Sequence, residues 1–518
     1  MAESSVKGKK SLLKSSLLVG SMTMLSRVLG LARDVVIAQG FGAGASADAF
    51  FVAFKIPNFL RRLFAEGAFA QAFVPVLSEY RTKGSLAAVK ELVNQVAGTL
   101  GLVLIVLTAL AILGAPLLAI LFAPGFYMHD AAKFALTVDM LRITFPYLML
   151  ISLTAFAGSI LNSYDRFLVP AFTPVLLNLS LIGSVFWLQP WLDTPVMALA
   201  WGVLIAGVSQ LLLQLPFLVG LGLLPNPKVG FRDEGVQRIM RLMLPAIFGV
   251  SVSQINLLLD TVLASFLKTG SVSWLYFSDR LVELPLGVFG IAIATVILPS
   301  LSRKHSEQSA DAFAKTLDWA VRMVLLIGLP AALALWLLAE PLIISLFKYG
   351  AMEERDVVMT AFSLRAYSLG LLAFMLIKVL APGYFSRQDT KTPVTIGIKA
   401  MVANMVLNLL LIYPMQHAGL ALATSLSAFA NAAMLLRGLL REEIFRWQEG
   451  WSRFAFQLLA ANMIMAVFLL YLTPSTDQWL DWVVWDRALN LGGLCIGGAG
   501  LYLMMLWCMG LRISDLRH

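Results

Sequence analysis

Residues 21–67 read SMTMLSRVLGLARDVVIAQGFGAGASADAFFVAFKIPNFLRRLFAEG, and residues 278–287 read SDRLVELPLG. Both lie in runs otherwise apolar enough to cross a membrane. Yet, besides Asp48, they carry ten charged side chains: Arg27, Arg33, Asp34, Lys55, Arg61, Arg62 and Glu66, then Asp279, Arg280 and Glu283. Each charge costs about 2.5–3.5 kcal/mol at a helix centre, so ten facing lipid would cost on the order of 30 kcal/mol. The sequence therefore predicts a water-filled cavity inside the protein that these groups face.

Composition agrees. The chain is 59% hydrophobic and 13% charged, with a mean hydropathy of +0.82, whereas soluble domains are about 25% charged. It is an integral membrane protein. The first residues carry Lys7, Lys9, Lys10 and Lys14, and the following apolar run continues into Arg27 without a small-residue cleavage site, so a retained cytoplasmic tail is expected. The net charge of +9 is spread through short connections, which argues against nucleic acid as a partner. Cys495 and Cys508 are thirteen positions apart in one expected helix, about 20 Å along its axis, too far for a disulfide.

A window of about twenty residues finds fourteen spans: 15–40, 47–79, 91–122, 133–162, 168–188, 195–223, 238–267, 271–302, 314–346, 357–386, 393–413, 418–440, 453–473 and 488–511. Pro57 and Pro285 break the second and eighth, where kinks are expected. Connections with Arg81 and Lys83, Arg166, Lys228 to Arg241, Arg303 and Lys304, Arg387 and Lys391, and Arg437 to Arg446 are basic. They alternate with connections short of basic residues, around His129, Asp193, Lys268, Glu353, His417 and Asp477. Lysine and arginine favour the cytoplasmic side, so both termini are expected in the cytoplasm.

Two landmarks recur. Asp34 precedes Gly44 by ten positions as Asp260 precedes Gly270, an offset of 226, and Tyr164 with Thr-Pro-Val at 173–175 recurs as Tyr384 with Thr-Pro-Val at 392–394. They predict an all-α architecture of two repeated six-helix halves around a central cavity, 15–223 and 224–440. A cytoplasmic tail, 1–14, precedes them. Residues 441–518, with spans thirteen and fourteen and a cytoplasmic tail, fall outside the repeat.

Arg27 and Asp34, seven apart, share a helical face; the pair can neutralise each other and leave Arg33, about 120° away, available. Asp48, Lys55, Arg62 and Glu66 fall near one stripe of the second span, with Arg61 elsewhere. Asp279 and Glu283 are one turn apart with Arg280 beside them. One explanation is paired glue between helices or snorkelling to the interface. The other is a cationic cavity for an anionic substrate, plausible in chemistry because the guanidinium fork suits phosphate. Gly30, Gly42, Gly44, Gly67, Gly287 and Gly290 on the same helices suit close packing, or hinges.

Catalytic signatures are absent. His129, His305, His417 and His518 fall in expected loops or at the terminus without metal-site spacing, and there is no phosphate-binding glycine loop. No cofactor is expected. Asp34, Asp260 and Glu283 are candidates for a coupling cation, with nothing to separate that role from charge balance.

Residues 21–80, with SRVLG and ARD, then DAFFVAFK, LRR, FAEGAF and AFVP in order, resemble the opening of the MurJ (MviN) family of lipid II flippases, as does WLYFSDRLVELPLGVFGIAIATVILPSLSR at 274–303. The resemblance covers essentially the whole chain. It implies a multidrug/oligosaccharidyl-lipid/polysaccharide (MOP) superfamily member in the bacterial inner membrane. It also implies lipid II, the undecaprenyl-pyrophosphate-linked peptidoglycan precursor, as substrate, moved to the periplasmic leaflet by alternating access. Membrane lipids are further partners, and proteins of cell-wall synthesis are candidates. The resemblance gives substrate-binding roles to Arg27, Arg33, Arg61 and Arg280 and functional weight to Asp34, Asp48, Lys55, Glu66 and Glu283. It makes the last two helices a track for the polyprenyl tail. The alternatives are an ion-coupled drug or polysaccharide-lipid exporter of the same superfamily, which should rely on carboxylates, and a lipid-carrier phosphatase, which would need a nucleophile or base in the cavity.

Overall fold

The computed structural model describes residues 2–306 and 309–512, and side chains within them other than those of 2–17, 64–67, 248–254, 257, 291–296 and 305–306. Among the described residues there is no strand. Fourteen long helical segments follow one another: α1 (Ala2–Phe41), α2 (Ala45–Leu60, then Arg61–Phe69 and Ala70–Lys83), α3 (Leu86–Leu113, then Ala115–Phe122), α4 (Ala131–Thr144, then Pro146–Ser163), α5 (Leu168–Gly183, running on to Trp191), α6 (Met197–Gly220) and α7 (Glu234–Ser265). The series continues with α8 (Ser271–Pro285, then Leu286–Gly290 and Ile291–Ser306), α9 (Ala310–Leu337, then Ala339–Phe347), α10 (Glu354–Phe385), α11 and α12 (within Lys391–Arg441), α13 (Trp451–Leu472) and α14 (Val484–Cys508). Nine helices among the described residues are long and apolar enough to span a membrane. All fourteen spans read from hydropathy coincide with one of these segments.

Pro57 and Pro285 do not end their helices; hydrogen bonding continues through widened π turns, Arg61–Phe69 after the first and Leu286–Gly290 after the second. A proline has no N–H for the carbonyl four residues back, which for Pro57 belongs to Ala53. Thr144 on α4 supplies the missing donor: its buried hydroxyl lies 3.1 Å from the Ala53 carbonyl oxygen, closer than the Leu141 oxygen at 3.4 Å. Between α11 and α12 the backbone breaks at Gln416, with φ 54° and ψ −132°, a conformation a residue with a Cβ rarely adopts. The close approach that follows needs Gly419, because a Cβ there would strike the Leu411 carbonyl.

The chain divides into two compact units, Met1–Gly270 and Ser271–His518. The sequence repeat draws its boundary at 223/224. α7 instead packs within the first unit: the Gly125 N–H donates to Ser265 Oγ at 3.0 Å, Arg238 pairs with Glu79 at 2.6 Å, and Val236 and Ile239 join the core of Phe73, Leu77, Val93 and Phe156. In the second unit α13 and α14 are tied to the body by polar contacts. Asp318 on α9 accepts from the Trp451 indole at 2.6 Å and pairs with Arg322 at 2.8 Å, and the Tyr502 hydroxyl donates to the Leu326 carbonyl at 2.8 Å. Cys495 and Cys508 on α14 are both free.

Replacing Thr144 with valine keeps the shape and removes the donor to Ala53. Thr144→Val is expected to lower the stability of the detergent-solubilised protein by roughly 0.6–1.7 kcal/mol, the range of hydrogen bonds between membrane helices. Thr144→Ser should lose less, as read from thermal unfolding.

Candidate functional site

In the first unit, α1 turns Arg33 and Asp34 toward α5. Arg33 Nε and Nη2 donate to Asp34 Oδ1 at 2.9 and 2.7 Å, and Nη1 donates to Asn178 Oδ1 at 3.0 Å. The Asn178 amide returns to α1 by donating to the Ser26 carbonyl at 2.9 Å. Arg33 and Asp34 are 5% and 1% exposed. The pairing is thus the reverse of the expected one. The arginine chain is long enough to fold back on its immediate neighbour, and Asn178 holds it there, so a shared helical face did not decide the partner. Arg27 is half-buried and makes no hydrogen bond or ion pair among the described residues. The net effect is a buried ion pair and, among the described residues, one cation without a counter-charge.

On α2, Asp48 is 1% exposed. It accepts the Gly270 N–H at 2.7 Å and lies 3.6 Å from Lys133 Nζ. Lys133 also donates to Thr269 Oγ1 at 2.9 Å and stands 4.6 Å over the Phe126 ring. Asp48 therefore closes a buried knot at the start of α2. Lys55, Arg61 and Arg62 are half-buried, and Arg61 Nε donates to Asn58 Oδ1 at 2.9 Å. The side chain of Glu66 lies outside the described ones.

In the second unit, α8 brings Arg280 and Glu283 together at 2.7 Å, as their spacing predicts. The guanidinium also stands 5.0 Å from the Tyr276 ring centroid, and the two charged side chains are 30% and 42% exposed. Asp279 is half-buried beside them. Among the described residues no cluster of His, Cys, Asp or Glu could hold a metal ion. His417, expected in a loop, is buried next to the break at Gln416. Its Nε2 lies 2.8 Å from the Met359 carbonyl and its ring 4.9 Å from that of Trp274. His305 and His518 fall outside the described side chains.

Residues 37–488 match the family model described as lipid II flippase MurJ. The chain belongs to the MurJ family. It is 51% identical to a probable lipid II flippase MurJ of Vibrio cholerae, over 98% of both chains. It is 41% identical to the lipid II flippase MurJ of Burkholderia cenocepacia, over 98% of this chain and 99% of that one. A solved lipid II flippase MurJ in an inward closed conformation superposes with a TM-score of 0.79 at 27% identity, covering 94% of this chain and 98% of that one. An inward-facing multidrug resistance MATE transporter of the MOP superfamily shares the fold, with a TM-score of 0.67 at 15% identity over 82% of this chain and 97% of that one.

Beyond the charges shared with the resemblance to MurJ, two buried cations escaped the sequence. Lys133 sits three residues after Asp130 in a stretch otherwise short of basic residues, and that isolation was its only signal. Arg487 on α14 is 7% exposed and pairs with no carboxylate. It donates instead to the carbonyls of Trp479, Leu480, Ile344 and Lys348 at 3.0, 2.9, 3.3 and 3.0 Å. These oxygens lie near the C-terminal ends of the short helices Thr476–Asp481 and Ala339–Phe347, where backbone dipoles favour a cation.

The two arginines of α1 in this MurJ-family chain should behave oppositely. Arg33→Ala removes the guanidinium that pairs with the buried Asp34 and is expected to cost about 3–5 kcal/mol. Arg27→Ala, which breaks no hydrogen bond or ion pair among the described residues, should change stability by no more than about 0.5 kcal/mol. Denaturation of both variants in one detergent separates them.

Proposed function

We propose that the chain is a lipid II flippase of the bacterial inner membrane. It moves the undecaprenyl-pyrophosphate-linked peptidoglycan precursor from the cytoplasmic to the periplasmic leaflet by alternating access, with both termini in the cytoplasm. The observation that carries this reading is the match to the lipid II flippase MurJ family over residues 37–488, joined to full-length relatives bearing that description.

The physical task is to take a pyrophosphate and sugar head group past hydrocarbon. A bare charge cannot make that crossing because it loses its water; preformed cationic groups replace the water. Arg27 suits this role best in the first unit, since no carboxylate among the described residues neutralises it. Arg280 suits it in the second: its partner Glu283 is half-exposed, so a phosphate can take over the guanidinium fork without burying a lone carboxylate. The polyprenyl tail stays in lipid. α13 offers it an apolar outer face of Phe456, Leu459, Met463, Val467 and Leu470, all more than 60% exposed. No bond is made or broken, so no nucleophile is required. The membrane potential acts on Arg27 and on the substrate at about 2.3 kcal/mol per charge per 100 mV.

In cells depleted of their own flippase, the intact chain should restore the accessibility of lipid II to a periplasmic probe. Arg27→Ala and Arg280→Ala should each abolish it at equal expression. Failure of the intact, membrane-inserted chain to restore exposure would overturn the lipid II assignment. Restoration by both variants would overturn the roles given to the arginines.

A further inference from the structure

Between α6 and α7 the chain runs without helix through LPNPKVGFRD at 224–233 and is stitched onto α3. The Asn226 N–H donates to Asn94 Oδ1 at 2.7 Å, the Lys228 N–H to the Asn94 carbonyl at 3.0 Å, and the Gly230 N–H to Thr99 Oγ1 at 2.9 Å. The approach is so close that a Cβ on Gly98 would strike the Lys228 backbone. Beside this stitch is a cavity of about 590 Å³ lined by Gln95 and by residues 228–233.

The cavity wall is rich in donors. The backbone N–H groups of Val229, Phe231 and Arg232 find no protein acceptor among the described residues, and neither does the exposed Arg232 guanidinium. Of the nearby carboxylates, Glu91 is 2.9 Å from Lys228 Nζ and Asp233 Oδ1 caps α7 by accepting the Val236 N–H at 3.0 Å, while Glu234 is exposed to solvent. Gln95 Oε1 is a buried acceptor without a partner among the described residues, but the open hydrogen-bonding capacity of residues 229–232 is that of donors, which suits an anion.

The level in the membrane follows from α3. Its last charged residue is Glu91 and its last strongly polar one is Gln95; from Val96 onward it is apolar, with Leu102, Ile105 and Leu110 exposed. The cavity thus lies where hydrocarbon begins. Around it Leu224, Val229 and Phe231 are 44%, 59% and 43% exposed, interleaved with Lys228 and Arg232. Cations alternating with exposed apolar side chains are the pattern of a surface at head-group depth.

We propose that this cavity is a binding site for an anionic phospholipid, its phosphodiester held by Arg232 and the 229–232 amides and its acyl chains lying along the exposed face of α3. The site is independent of the flippase reading. Its occupant is a bulk membrane lipid, and none of its residues is among those assigned to the transported substrate.

The test is lipid retention by the delipidated full chain, read by native mass spectrometry with phosphatidylglycerol and with phosphatidylcholine. The intact chain should retain phosphatidylglycerol preferentially, and Arg232→Gln should weaken that retention about fivefold, the effect of one basic residue near an anionic surface. Arg27→Ala should leave it unchanged, which separates this site from the transport path. Excess inorganic phosphate should not displace the lipid. Equal retention of the two lipids, undiminished retention by a folded Arg232→Gln, or displacement by phosphate would each overturn the proposal. Amide hydrogen exchange on the unmutated chain gives a second readout: residues 229–232 should slow in phosphatidylglycerol nanodiscs relative to phosphatidylcholine ones, and equal rates would overturn it.

Discussion

A charge inside a membrane protein must be matched within hydrogen-bonding reach or face water, and much of this structure is arranged by that constraint. Arg33 is matched twice, by Asp34 and by Asn178 from a helix far away in sequence. Asp48 is matched by Lys133 and by a backbone amide. Arg487 has no anion and is satisfied by four carbonyl oxygens. These groups join helices across each unit, and removing one partner leaves the other as a cost larger than the pair ever contributed. Arg27 stands out because the same accounting leaves it without a counter-charge. An unmatched cation is tolerable only where water or an anionic ligand reaches it, and that is the physical meaning of its half-buried position.

The backbone follows a parallel logic. Proline within a membrane helix frees a carbonyl, and the hydrocarbon supplies no water to satisfy it. At Pro57 the answer is a threonine hydroxyl from α4. Downstream, the helix widens into π turns over the stretch that contains Arg61 and Arg62, and a shorter π stretch follows Pro285 just after Arg280 and Glu283. A π turn rotates the side chains that follow and loosens the local hydrogen-bond ladder. Both units thus place their cationic residues beside a backbone segment that is helical yet not uniformly wound.

The positions of the fourteen segments were legible in the sequence because hydropathy depends on each residue alone. Partnership was not, because it depends on three-dimensional neighbours. A helical wheel puts Arg27 and Asp34 on one face; only the presence of Asn178, 145 residues after Arg33, decides that Arg33 takes the carboxylate. His417 follows the same rule. Its surroundings in sequence look like a short loop between two spans, but the break at Gln416 tucks it beneath the Met359 carbonyl. The matching landmarks in the sequence suggest halves that divide at 223/224, whereas the compact units divide after Gly270, since α7 buries Val236 and Ile239 against the first unit. A repeat reflects how the chain is patterned, and a compact unit reflects where its side chains are buried.

The last two helices show how far the same constraint reaches. Their outer faces are apolar and suited to lipid, so hydrophobicity alone cannot hold them to the second unit; lipid tails compete equally well for such surfaces. What holds them is polar. At the start of α13 the Trp451 indole donates to Asp318 and the Glu449 carbonyl accepts from Arg322, both on α9; the Tyr502 hydroxyl reaches the Leu326 carbonyl from α14, and Arg487 clasps the ends of two short helices. Each contact involves a group that would be costly to leave in hydrocarbon, so the helices cannot drift away without exposing it. α13 and α14 are therefore bound specifically at a few points while their apolar surfaces remain open to lipid.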